Sequence, residues 1–151
     1  MNSISFHTEN IQVKTPSKKL LKGWIKEFVS HYDKKVGELA FVFCSDSKIL
    51  EINLQYLNHD YYTDIITFDY CEGNFVSGDV FISVDRVREN ASSHNSDFNS
   101  ELIRILAHGV LHLIGFQDKT EKTKEEMTRN EDLCMSLFFT SFGQIQDVKK
   151  E

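Results

Sequence analysis

Proline occurs once in this sequence, at Pro16, and glycine only seven times in 151 residues. So little of either excludes collagen-like and low-complexity architectures, and no Gly/Ser/Pro tract marks a domain boundary. One domain over residues 1–151 is expected, long enough to bury a core without disulfides or a structural metal. Cysteine is scarce as well. Cys44, Cys71 and Cys134 are odd in number, widely spaced and never paired as C-x-x-C, which excludes a disulfide framework and a cysteine zinc site and fits a reducing cytoplasm. As small apolar side chains they belong in the core. No apolar run reaches the roughly 18 residues of a membrane span, and the start, MNSISFHTEN, lacks a basic stretch followed by an apolar one. A soluble, unsecreted protein with no membrane partner is expected.

Positive charge is also short, with 17 Lys and Arg against 23 Asp and Glu for a net charge of -6. This excludes a protein that coats nucleic acid through a dominant basic field. One segment runs the other way: Lys14, Lys18, Lys19, Lys22, Lys26, Lys34 and Lys35 lie together against only Glu27 and Asp33. The ordinary reading of such a run is a solvated helix face.

What the chain does have is phenylalanine, in 12 copies, and apolar and charged shares of 40% and 26% that are ordinary for a globular protein. Ile4 to Phe6 reads as a short strand. Thr15-Pro16 looks like a helix start, with Leu20, Leu21, Trp24, Ile25, Phe28 and Val29 recurring at helical spacing and the lysines outward. Leu39 to Cys44 suits a buried strand, and Ser45-Asp46 an N-cap for a helix through Ile49, Leu50 and Leu54. Ile65 to Phe68 and Val80 to Ser83 are β-branched runs on either side of Gly73-Asn74, which suggests an antiparallel pair. Val84 to Ser93 is weakly helical, and Ser100 to Ile114 is strongly so and apolar around most of its circumference, hence mostly buried. Thr123-x-x-Glu126 has the form of a capping box for a last helix through Met127, Leu133, Cys134, Leu137 and Phe138. The tail from Gln144 is polar. About four strands and four or five helices, not in strict βαβ alternation, give an α+β domain with helices packed on one sheet.

The chemistry concentrates in Ala107 to Asp118. His108 and His112 are four apart on one helix, so their rings share a face and can converge on an ion. Gly115 stands where a glycine ends a helix in a left-handed turn and brings the chain back, which presents Asp118 to the same ion. Two imidazoles and one carboxylate leave a corner of a zinc tetrahedron for water, the arrangement of catalytic rather than structural sites. The alternative, two satisfied core histidines, does not account for the glycine and carboxylate at the next offsets. Gly109 occupies the place where H-E-x-x-H peptidases carry their general-base glutamate, so peptide hydrolysis by that route is disfavoured. Gly109 also permits close helix packing.

His108-Gly109-Val110-Leu111-His112-Leu113-Ile114-Gly115-Phe116 closely resembles the H-G-x-L-H-L-x-G-[YF] signature of the YbeY family, bacterial metal-dependent endoribonucleases of ribosomal RNA maturation. The stretch LQYLNHDYYTDIITF, Leu54 to Phe68, resembles the family segment ending T-D-V-L-S-F, and Gly78-Asp79-Val80 resembles its G-D-I strand entry. The resemblance implies one Zn²⁺ per chain held by His108, His112 and Asp118, which are thereby the catalytic residues. It also implies a mixed four-stranded sheet flanked by helices, and cleavage of single-stranded RNA, ribosomal RNA above all, in ribosome maturation and quality control with the ribosome as partner in the cytoplasm. Two positions depart from the family pattern. Asp118 replaces the usual third histidine, and Leu57 stands where an arginine usually follows the aromatic aligned with Tyr56.

Around such a site, Tyr61, Tyr62, Phe68 and Tyr70 are candidate stacking surfaces for unpaired bases, or core and rim aromatics. Asp64 and Asp79 are candidates to orient a ligand histidine through its second nitrogen, or turn residues. Three other functions are weighed against the nuclease: a ribosome-assembly factor in which metal only stabilises the fold, another zinc hydrolase, and a two-histidine-one-carboxylate iron oxygenase. The last normally uses a β-barrel, which a helical ligand pair does not fit.

Overall fold

The computed structural model describes residues 3–58 and 63–142. Tyr61, Tyr62 and the tail from Gln144 lie outside the described residues. Strands β1 (Ser3–Glu9), β2 (Lys35–Cys44), β3 (Ile65–Asp69) and β4 (Phe75–Ser83) form one mixed sheet in the order β1-β2-β4-β3. β1, β2 and β4 run parallel, and β3 pairs antiparallel with β4, Ile65 opposite Ile82 and Asp69 opposite Gly78. The helices are α1 (Lys18–Ser30), α2 (Asp46–Ile52), α3 (Val84–Ser93), α4 (Phe98–Ile114) and α5 (Glu121–Leu137). Single π-helical turns, Asn53–Leu57 and Phe138–Phe142, continue α2 and α5. The expected α+β class and mixed four-stranded sheet are what the chain forms.

Alternation along the strands divides the molecule into two layers of packing. Ile4, Leu39, Phe41, Phe43, Val80 and Ile82 pack with the buried residues of α1, α3, α4 and α5 in one large core. Cys44, Ile66, Phe68 and Phe81 pack instead with Ile49 and Ile52 of α2 in a smaller cluster. Trp24 anchors the large core: its indole Nε1 donates to the carbonyl of Cys134 at 2.8 Å, and its ring meets Phe28 and Phe138 edge-on at 4.9 and 5.3 Å. Cys44 and Cys134 are buried as expected, and burial is the main force pushing both thiols up to about 12, so neither is a thiolate at neutral pH.

Several boundaries differ from the sequence expectation. α1 opens at Lys18, two residues later than Pro16, with Ser17 as the N-cap accepting from the Leu20 amide at 3.4 Å. β4 begins at Phe75 rather than Val80, because Gly73 takes a left-handed turn at φ +57° and Glu72 bridges to Phe75. The capping box of α5 is Thr120 with Thr123, not Thr123 with Glu126; the two side chains each bond the other's backbone N–H. A second hydroxyl there does the work usually given to glutamate.

Gly109 faces the sheet. A Cβ at that position would stand 2.9 Å from Ile65 Cδ1 and 3.1 Å from Val80 Cγ1. α4 therefore lies close against β3 and β4 here: a larger residue at 109 would force the Ile65 side chain aside, and a base at 109 would point into the sheet.

Candidate active site

α4 is buried almost all round, with Leu102, Ile103, Leu106, Ala107, Val110 and Leu111 fully inaccessible. The polar exception is a row at every fourth residue, Arg104, His108 and His112, which share one face. Asp97 starts the helix by accepting from the Ser100 amide at 2.7 Å. Gly115 ends it at φ +130°, its N–H reaching the carbonyls of Leu111 and His112, both at 3.1 Å. The chain turns back there, as the sequence predicts, and brings the Asp118 Oδ2 to 3.4 Å from His108 Nε2.

Both imidazoles are oriented through their other nitrogen. His108 Nδ1 lies 2.6 Å from Glu131 Oε2, and His112 Nδ1 lies 3.1 Å from the Phe116 carbonyl. A carbonyl only accepts, and an ionised carboxylate only accepts, so each Nδ1 carries a proton, and in the neutral ring Nε2 is the atom left with a lone pair. Glu131 is buried, at 7% exposure, and its second oxygen is held by Arg104 Nη1 at 2.8 Å, while Arg104 Nη2 reaches Asp132 at 2.9 Å. Burial alone lowers the His108 pKa, but the hydrogen bond and charge of Glu131, with the charges of Asp118 and Asp64, outweigh it and hold the pKa above the ordinary value.

A cleft of about 280 Å³ opens beside His108, lined also by Asp64, Asn90, His94, Arg104, Asp118 and Glu131. His94 Nδ1 lies 3.1 Å from Glu101, which also accepts from Ser96 Oγ at 2.9 Å. The structure thus brings His108 and Asp118 together and sets His112 one turn further on, its ring exposed. Among the described residues, no three His, Cys, Asp or Glu side chains converge tightly enough to enclose an ion as they stand. The donor set nonetheless fits a divalent metal, because both histidines donate through Nδ1 and so leave Nε2 to ligate once the ring is neutral, the orientation metal-bound histidines take.

The residue that orients His108 is neither Asp64 nor Asp79. Asp64 lines the cleft and contributes charge only, whereas Asp79 lines a separate cleft of about 670 Å³ with Ser3, Ser5 and Tyr70. Sequence reasoning missed Glu131, although the signal was there: it shares the buried face of α5 with Met127 and Cys134, and a carboxylate on such a face must be paired. Of the aromatic candidates, Phe68 packs edge-on between Tyr56 and Phe81 in the smaller core, and Tyr70 lines the Asp79 cleft. Neither lines the cleft of His108. Leu57, exposed at 40%, brings no cation. Lys18, Lys19, Lys22 and Lys26 are exposed along α1, and beyond its end Tyr32 meets Phe116 edge-on at 5.5 Å.

A family model described as Endoribonuclease YbeY matches residues 3–138. The chain belongs to the YbeY family. Among its curated YbeY relatives, the endoribonuclease YbeY of Parabacteroides distasonis is 51% identical over 135 residues, covering 89% of this chain and 95% of the relative. That of Phocaeicola vulgatus is 52% identical over 134 residues, covering 89% and 97%. The solution structure of TM1509 from Thermotoga maritima superposes with a TM-score of 0.63 at 27% identity, covering 94% of this chain and 95% of that one. YbeY membership thus extends the resemblance from the motifs lying between 54 and 116 to nearly all the described residues.

Proposed function

We propose that this chain is a zinc-dependent endoribonuclease that cuts single-stranded RNA in ribosomal RNA maturation and ribosome quality control, as one hydrolase domain acting with the ribosome in the cytoplasm. The endoribonuclease activity rests on the family. The metal rests on one observation, that His108 and His112 both give their Nδ1–H to fixed acceptors, which leaves Nε2 as the ligating atom of each neutral ring, that of His108 within 3.4 Å of Asp118. Among the described residues no helix is long and apolar enough to cross a membrane.

His108, His112 and Asp118 would hold the ion, which when bound supplies Lewis-acid chemistry to a phosphodiester. The protein's own part is orientation. Glu131 fixes the plane and tautomer of the His108 ring, Arg104 fixes Glu131, and the Phe116 carbonyl fixes His112. Asp118 in place of a histidine gives the set one anionic donor, which lowers the effective charge at the metal but remains within what zinc accepts.

The test is metal removal. Protein stripped with a chelator should lose cleavage of single-stranded RNA and regain it with zinc, while fully paired RNA of the same sequence stays intact. Undiminished cleavage by stripped protein would refute metal dependence, and metal uptake without any cleavage would favour a ribosome-assembly factor instead.

A further inference from the structure

RNA brings a negative charge with every phosphate, yet the cleft beside His108 is lined by four carboxylates, Asp64, Glu101, Asp118 and Glu131. Among the residues lining it, Arg104 is the one side chain with a permanent positive charge. We propose that Arg104 holds a phosphate of the bound RNA next to the one that is cut, a role resting on the endoribonuclease reading above.

Position and geometry both support this assignment. Arg104 sits one helical turn before His108 on the same face of α4, about 6 Å along the axis. A guanidinium carries more N–H donors than the two that Glu131 and Asp132 use here, and among the described residues no other group is seen to take the remainder. The two carboxylates differ in kind: the Glu131 side chain is 9% exposed, whereas that of Asp132 is 60% exposed. Glu131 is the fixed anchor that orients the planar group, and Asp132 is the surface partner that a phosphate displaces. Arginine suits the task because its fork can donate to two phosphate oxygens at once. The Glu131 carboxylate then has two duties, His108 on one oxygen and Arg104 on the other, so substrate contact and ring orientation pass through one buried side chain.

The experiment measures binding of the metal-loaded, full-length protein to a fluorescent single-stranded oligonucleotide methylated on its ribose hydroxyls to resist cutting, over a range of salt. Arg104→Gln should weaken binding about tenfold and lower the slope of log affinity against log salt by about 0.7, the contribution of one phosphate contact on a single strand. Arg104→Lys should keep the slope. In Arg104→Lys, which keeps the charge paired with Glu131, zinc uptake and the Nδ1–H signal of His108 by nitrogen NMR should stay as in the wild type, which separates substrate contact from support of Glu131. Asp132→Asn, which leaves the buried pair intact, should tighten binding, and that gain should vanish in the double variant with Arg104→Gln. Unchanged affinity and slope in Arg104→Gln would overturn the proposal. So would a salt slope in Arg104→Lys as low as that in Arg104→Gln, or an Asp132→Asn gain that persists without Arg104. Absence of RNA binding by the wild type at low salt would overturn the endoribonuclease reading and this proposal with it.

Discussion

A carboxylate on the buried stripe of a helix has to be paired, because removing its charge from water costs several kcal/mol unless a partner repays it. Glu131 is such a carboxylate, and its partners are the two cationic or protonated groups of α4 that face it, Arg104 and His108. Replacing it with the isosteric Glu131→Gln keeps the shape and removes the charge. Zinc affinity, measured by competition with a chromophoric chelator, should fall on the order of 10- to 100-fold, the usual cost of losing an outer partner of a metal-bound histidine. The same pair sets a pH dependence in the metal-free protein. The folded pKa of His108 lies above its unfolded value near 6.5. Its contribution to stability is therefore complete below the unfolded value and is lost as the pH climbs through the folded one. Urea unfolding should show the wild type exceeding Glu131→Gln by more on the acid side of that range than well above it. A gap that widens with rising pH would contradict the pairing.

At the scale of elements, the site is a helix end. Gly115 adopts φ +130° with open space around the position where a Cβ would stand, so the cost of Gly115→Ala is backbone strain rather than a clash. About 1–3 kcal/mol is expected, equivalent to a fall in Tm of several degrees for a chain of this size, and His112 and Asp118 flank the strained turn, so zinc affinity should fall with it. An unchanged Tm would mean that the turn relaxes without cost. α4 was legible in the sequence because its apolar residues wrap nearly the whole circumference and leave one polar row, and the turn back to Asp118 was legible from Gly115. The half-exposed elements were harder to read. In β4, Ser77 and Asp79 alternate with buried Val76 and Gly78, so the strand's first half lacks the β-branched run that marks its second half. The start of α5 was misplaced by one turn because Thr123 acts as the partner in the box rather than its cap. Glu131 and Arg104 are individually ordinary in a helix, and only the packing of α5 on α4 makes them part of the site.

For the whole molecule, the sheet order β1-β2-β4-β3 places β3 at an edge with α4 pressed on it and on β4 through Gly109. The ligand row is thus held on the outer side of a helix whose inner side is locked to the sheet. The α+β class followed from periodicity. The mixed sheet did not, because parallel pairing of β1, β2 and β4 joins residues some 35 apart in the chain, such as Ser3 with Glu38, and only the family resemblance implied it. The net charge of -6 resides outside the lysine-rich segment at 14–35, so the molecule attracts RNA locally or not at all, and cleavage should weaken steeply as salt rises. The central claim is that His108, His112 and Asp118 hold one zinc ion that RNA cleavage requires. Its most direct test is metal analysis of the purified protein together with a single-stranded RNA cleavage assay, comparing wild type with His112→Ala at matched folding by circular dichroism. The account requires about one equivalent of zinc in the wild type, and cleavage that disappears in the variant together with the metal; cleavage retained by His112→Ala would contradict it.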